Sequence, residues 1–363
     1  MSEGSRARPS KLKTRGAELL GVELPIIQTG MGWVSGARLT AATSEAGGFG
    51  ILASATMTFE ELEESIGKVR ERTSKPFGVN LRADQADVMD RVDLLIREKV
   101  KLASFAQAPG RKVIDKLKEN GVLCMPTIGA RRHAEKVAEW GVDAVIAQGH
   151  EGGGHTGNVP TSLLIQEVRR AIDLPVFAAG GFHSGEGLVA ALALGADGVA
   201  MGTRFLLTQE SQVPEHIKAE YLKATVNDTV VTRAIDGAPQ RVIRTGMIDA
   251  LERSSGIVRF IRAALNAIRL ARITGTGFMD LLREGLEMRK NQNLSYAQLA
   301  MAANAPMLTK AAMVEGKLEA GILPTGQVAG VIEELPTVEA LLERIASEAE
   351  ATLARLAALS KDS

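Results

Sequence analysis

The chain has 363 residues, 45% of them hydrophobic, and a formal net charge of zero. That is apolar material enough for one large α/β barrel with an appendage, or for two ordinary domains, and the balanced charge argues against non-specific nucleic-acid binding. Cys124 is the one cysteine, which excludes an intrachain disulfide, disfavours a thiol-ligated zinc or iron–sulfur site, and fits a reducing cytoplasm.

In chain order, Met1–Arg15 is basic and polar and lacks the apolar core of a secretory signal. Residues 1–20 read as a disordered lead-in. From Leu24 to Phe205, short apolar runs alternate with segments of helical periodicity such as Phe59–Arg72 and Arg131–Trp140. The runs are Pro25–Met31, Phe49–Ser54, Phe77–Leu81, Lys101–Gln107, Leu123–Gly129, Ala144–Gly149, Pro175–Gly181 and Gly198–Thr203. Near-continuous apolar strands are buried on both faces, as in a parallel sheet. Eight βα units in about 180 residues predict a closed (β/α)8 TIM barrel over residues 21–212. An open doubly wound sheet usually has fewer strands.

Beyond Phe205 the texture changes. Pro214–Val226, Met279–Lys290 and Leu299–Val314 read as helices, and Thr229–Arg244 as a hairpin around Asp236-Gly237. Residues 213–318 are expected to form a smaller, mostly helical, substrate-capping subdomain. Residues 319–363 read as a return loop and a final helix, Val338–Ser360, packed on the barrel. No apolar stretch reaches the roughly 18 residues of a transmembrane helix.

Active sites of such barrels lie at the C-terminal ends of the strands. Those ends carry Gln28-Thr29-Gly30-Met31-Gly32, Asn80, the run Gln148 to His155, Ala179-Gly180-Gly181 and Gly202-Thr203. Glycines on two consecutive strands, with a helix N-terminus beside them, suit a phosphate, because backbone N–H groups can approach the anion closely. A flat ring could lie against Thr29, Gly30 and Met31, with Asn80 at its edge; a tight barrel turn and a helix cap are the plain alternatives. The run His150-Glu151-Gly152-Gly153-Gly154-His155 is no P-loop, for no Gly-Lys-Ser/Thr follows, and it lacks a third metal ligand. No metal is expected. An imidazole beside a redox ring can give or take a proton as a hydride moves, and His155 is favoured over His150. The segment from Arg253 to Met279 carries Arg259, Arg262 and Arg269 with no acidic residue. It suits the phosphates of a coenzyme A tail, or pairing with acids elsewhere.

Together these motifs resemble the nitronate monooxygenase (2-nitropropane dioxygenase) family, which includes the FMN-dependent enoyl-acyl-carrier-protein reductases. The resemblance runs from Leu20 to Leu335 and includes Pro76-Phe77-Gly78-Val79-Asn80 and Pro324-Thr325-Gly326-Gln327. It implies FMN, with Thr29, Gly30, Met31 and Asn80 along the flavin and Gln148, Gly153, Gly154 and Ala179 flanking it. It places the phosphate at Gly180, Gly181, Gly202 and Thr203, the catalytic histidine at His155, and Gln327 in a loop returning to the substrate. Gly152 stands where monooxygenase members commonly carry Ala or Cys. That feature, the Gln28 to Trp33 opening and the arginine-rich segment look more like the acyl-CoA branch of bacterial steroid degradation. The implied activity is hydride transfer between a bulky hydroxyacyl-CoA and flavin, with NAD(P)H as co-substrate. A nitronate monooxygenase, an FMN-dependent enoyl-thioester reductase and a flavin-free scaffold stay open, as does homodimerisation.

Overall fold

The structure is a computed structural model that describes residues 12–254, 265 and 304–359. Eight strands close a parallel barrel in the order β1 (Ile26–Gln28), β2 (Phe49–Ala53), β3 (Gly78–Leu81), β4 (Leu102–Phe105), β5 (Leu123–Ile128), β6 (Val145–Gln148), β8 (Val176–Ala179) and β9 (Gly198–Met201). β9 returns to β1 with Ile27 opposite Ala200, which seals the cylinder. Each strand falls inside one of the apolar runs and is shorter than it by a residue or more, because the polar ends turn out of the ladder. Seven helices lie between successive barrel strands or beside them: α2 (Ala37–Glu45), α3 (Phe59–Arg70), α4 (Val88–Arg97), α5 (Arg111–Glu119), α6 (Arg131–Glu139), α7 (Thr161–Ala171) and α8 (Gly185–Ala193). α3 starts on a complete capping box, Thr58 with Glu61, and turns Leu62, Ile66 and Val69 inward.

The expected lead-in reaches too far. Arg15–Leu20 form helix α1, capped by Thr14, whose side chain accepts from the Ala17 N–H. Residues 1–11 lie outside the described part. Leu20 is fully buried against Ile27, Phe49, Ile51, Leu102, Met125 and Phe177, so α1 plugs the barrel floor. Thr14 Oγ1 donates to the Asp197 carbonyl at 2.6 Å, and Arg15 pairs with the carboxylates of Asp197 at 3.1 Å and Asp173 at 3.0 Å. The polar composition that suggested disorder serves this docking instead.

After β9 come α9 (Thr203–Leu206), α10 (Glu215–Lys223) and the antiparallel pair β10 (Thr229–Thr232) and β11 (Gln240–Ile243), then α11 (Gly246–Arg253). Asn304–Met313 forms α12, and Val338–Leu359 forms α13, which packs along α8. The predicted helix Met279–Lys290 and the three substrate arginines, Arg259, Arg262 and Arg269, lie outside the described residues. No described helix is long and apolar enough to cross a membrane.

One buried cation holds the mouth of the barrel on the β2 side. Arg91, on α4, donates to the carbonyls of Ser54 at 3.1 Å and Met57 at 2.8 Å and pairs with Asp87 at 2.8 Å. Replacing it with alanine strands two buried carbonyls and opens a cavity. Arg91→Ala is expected to lower unfolding free energy by about 2–4 kcal/mol in urea titrations. A loss under about 0.5 kcal/mol would show that water replaces the guanidinium freely.

Candidate active site

The closed barrel brings the C-terminal ends of its strands to one rim. Gln28 lies fully buried beneath the turn after β1, and its amide donates to Ser35 Oγ at 2.9 Å and to the Ile51 carbonyl at 3.1 Å. Ser35 Oγ in turn accepts from the Met31 N–H at 2.9 Å. The Thr29–Met31 backbone is therefore held from below. A Cβ on Gly30 would come within 2.4 Å of the Asn80 Cβ, so only glycine lets the turn lie against β3. Asn80 Nδ2 donates to Ser104 Oγ at 3.2 Å. On the neighbouring strand end, Gly202 faces Thr29 and Met31, and the Thr29 N–H donates to the Met201 carbonyl at 3.2 Å.

Gly180 and Gly181 have φ of +103° and +84°, the left-handed region that glycine enters without strain. Among the described residues, no acceptor meets the N–H groups of Gly180, Gly181 or Gly202. Backbone amides left free in this way suit an anionic oxygen. At the N-terminus of α8 the leading N–H groups already have partners within the chain. The Glu348 carboxylate accepts from the Gly185 N–H at 2.8 Å, and the Ser184 hydroxyl caps Gly187 at 3.3 Å. A protein carboxylate thus already answers that helix end. Ala179 offers little beyond a floor: its side chain lies in the barrel core and its carbonyl accepts from the Gly149 N–H. Arg204 is buried and donates to the Leu207 and Glu334 carbonyls at 2.6 and 2.9 Å. Burial, and then the charge of Arg344, lower its guanidinium to about 10, so it stays protonated at neutral pH.

The segment after β6 is more ordered than a flexible loop. Gly154–His155 form strand β7, which pairs with β11 so that His155 lies opposite Gln240 and Gly154 opposite Arg241. Gln148 Nε2 donates to the His155 carbonyl at 2.8 Å. Glu151 is engaged by the chain itself: its carboxylate accepts from the Thr161 hydroxyl at 2.6 Å and the Thr161 N–H at 3.0 Å, at the start of α7. Gly153 runs against the return loop, where a Cβ would come within 2.4 Å of the Thr325 carbonyl carbon. That loop is tied in turn by Gly326 N–H to Thr203 Oγ1 at 3.0 Å and by Gln327 N–H to the Glu151 carbonyl at 3.0 Å. Gln327 thus meets the segment after β6 through its backbone.

His155 meets partners that sequence reasoning missed. Its Nε2 lies 2.7 Å from Asp236 Oδ2, and Gln240 Nε2 donates to the same oxygen. Arg241 holds the turn by donating to the His150 carbonyl at 3.3 and 3.2 Å and to Thr229 Oγ1 at 2.9 Å. Burial lowers the Arg241 guanidinium, with the charge of Glu151 opposing. His150 is turned inward, with Nδ1 2.8 Å from the Gly157 carbonyl. His183 is half-buried and its pKa is lowered, first by burial and then by Arg204. The turn signal Asp236-Gly237 was visible; that its acid would serve a histidine 81 residues earlier was not. At the first loop, Trp33 takes a strained φ of +65° and donates Nε1–H to the Pro306 carbonyl at 2.9 Å, with Lys310 over its ring at 5.2 Å.

Among the described residues no His/Cys/Asp/Glu cluster could hold a metal ion. Cys124 is fully buried in β5, and burial, with Asp143, pushes its thiol up to about 12. Its thiolate fraction at pH 8 is therefore on the order of one in ten thousand. Folded protein at pH 8 should give less than about 0.05 equivalents of label with a disulfide exchange reagent in an hour, against one equivalent after unfolding. Rapid labelling of the folded protein would contradict this burial.

The profile of the nitronate monooxygenase family matches residues 13–348. The chain is 54% identical over 350 residues to the (3aS,4S,5R,7aS)-5-hydroxy-7a-methyl-1-oxo-octahydro-1H-indene-4-carboxyl-CoA dehydrogenase of Rhodococcus jostii, covering 96% of this chain and 99% of that one. A probable nitronate monooxygenase of Staphylococcus aureus is 30% identical, covering 67% of this chain and 82% of its own. Among solved structures, FabK from Thermotoga maritima superposes with a TM-score of 0.78 at 36% identity, covering 96% of this chain and 99% of that one.

Proposed function

The chain belongs to the nitronate monooxygenase family and is a flavin-dependent oxidoreductase; we propose that it uses FMN to dehydrogenate a bulky, steroid-derived hydroxyacyl-CoA. The observation that carries this reading is end-to-end similarity to the Rhodococcus dehydrogenase, whose named substrate combines a hydroxyl, a fused apolar bicycle and a CoA thioester.

The chain's own residues fit the cofactor. The free N–H groups of Gly180, Gly181 and Gly202 suit its phosphate, with Thr203 beside them. The Thr29–Met31 backbone, Asn80 and Gln148 would flank its ring, with Gly153 and Gly154 close by. Bound FMN supplies a two-electron acceptor for a hydride. NAD(P) is the proposed second substrate, exchanging that hydride in a separate half-reaction. His155 takes the hydroxyl proton as the C–H electron pair leaves, so that a carbonyl forms without a net charge on the substrate. Gln327 and the arginines Arg259, Arg262 and Arg269 are the proposed substrate contacts, the arginines gripping the CoA phosphates.

Anaerobic titration with the hydroxy-indane CoA ester should bleach the flavin absorbance of the purified protein. An absent response, joined to oxygen uptake with propionate 3-nitronate or to NAD(P)H consumption with an enoyl-CoA, would move the protein to another activity of its family. Protein that is colourless and takes up no FMN would overturn the cofactor. His155→Gln should lower kcat by about 10²–10⁴-fold. Replacing Arg259, Arg262 and Arg269 together by alanine should raise KM for the CoA thioester about tenfold or more, and an unchanged KM would remove their role.

A further inference from the structure

We propose that Asp236 is a positioning residue that fixes the hydrogen of His155 on Nε2 and leaves Nδ1 as the proton-accepting atom, a role that rests on His155 being the proton-handling group. Asp236 sits between the hairpin strands β10 and β11, and three donors meet its carboxylate. Oδ1 accepts from the Ala238 N–H at 3.0 Å. Oδ2 faces His155 Nε2 at 2.7 Å and accepts from the Gln240 amide. A carboxylate oxygen can only accept, so the hydrogen on the short line to the imidazole belongs to the ring. In a neutral imidazole the other nitrogen, Nδ1, then carries a free lone pair. Gln240 Nε2 also lies 3.1 Å from the ring Nε2; two donors cannot share a hydrogen bond, so both are directed at Asp236.

The pair has an inner and an outer end. The Asp236 side chain is 6% exposed, whereas that of His155 is 62% exposed. The acid is sealed under the hairpin and the ring projects from the edge of β7. Backbone pairing of His155 with Gln240 fixes the His155 backbone beside the hairpin, and the contact with Asp236 orients the ring. His150 differs in facing a neutral acceptor and no carboxylate at that contact: its Nδ1 lies 2.8 Å from the Gly157 carbonyl. In the proposed reaction the hydroxyl O–H bond would break toward Nδ1 as the C–H electron pair leaves to the two-electron acceptor that bound FMN would supply, and the C=O bond would form. The imidazolium is held against the Asp236 carboxylate and then returns its proton to solvent from the exposed edge.

Asp236→Asn keeps the shape and reverses the hydrogen bond. Its Oδ1 stays with the Ala238 N–H, so its Nδ2 donates to His155 Nε2 and drives the ring hydrogen onto Nδ1. The test is nitrogen NMR of the holoprotein labelled at histidine, with His155 assigned by its loss in His155→Gln. The wild type should show the hydrogen on Nε2. Asp236→Asn should show it on Nδ1, with kcat lower by at least about 100-fold and KM within about threefold. Asp236→Glu, which keeps a carboxylate, should hold the wild-type tautomer and recover at least about a tenth of its kcat. A wild-type ring with its hydrogen on Nδ1 overturns the assignment, and that spectrum needs no variant to fold. So does Asp236→Asn with unchanged tautomer and kcat. Normal turnover by His155→Gln would instead remove His155 itself, whereas an inactive His155→Gln beside a fully active Asp236→Asn would remove Asp236 alone.

Discussion

The short pairing of Gly154–His155 with Gln240–Arg241 is the contact on which the site depends. A stretch with three consecutive glycines has more conformational freedom to lose than any other of its length. Left as a loop, it would scatter His155 over many positions. Two ladder positions, the Gln148 amide on the His155 carbonyl and the Arg241 guanidinium on the His150 carbonyl remove that freedom. They also make the hairpin part of the barrel mouth. The layer after β9 is therefore built into the site and not merely laid over it.

The barrel was legible because burial on both faces writes itself as continuous apolar runs, and eight such runs admit few closures. The positive φ of the Gly180-Gly181 pair was legible too, since a left-handed backbone has a residue signature. Two kinds of feature escaped. α1 was hidden because six residues are too few for a periodic pattern, and its polar side chains answer to Asp197, remote in sequence. β7 and Asp236 were hidden because strand pairing and acid–imidazole contacts between distant segments leave no local mark. An Asp-Gly pair announces a turn wherever it falls, and says nothing about what its carboxylate will meet.

The acids near the mouth divide into separate tasks. Glu151 and Glu348 each answer the start of a helix, α7 and α8, which places negative charge where the peptide dipoles favour it. Their use there leaves the glycine amides between them as the open positive end. Asp236 alone is aimed at a group that can titrate with the chemistry. The conspicuous glutamate of the glycine-rich run thus holds the start of α7, and the acid that meets His155 comes from the hairpin.

The plug at the barrel floor bears on how the molecule is made. Thr14 and Arg15 are synthesised before all eight strands, yet their partner Asp197 lies 183 and 182 residues later. During translation α1 must wait, unpaired, until the last two barrel strands have left the ribosome. Contacts of that separation carry a high closure cost and form late. The floor is therefore sealed near the end of barrel assembly, and until then the apolar bore is uncovered at the end opposite the strand C-termini.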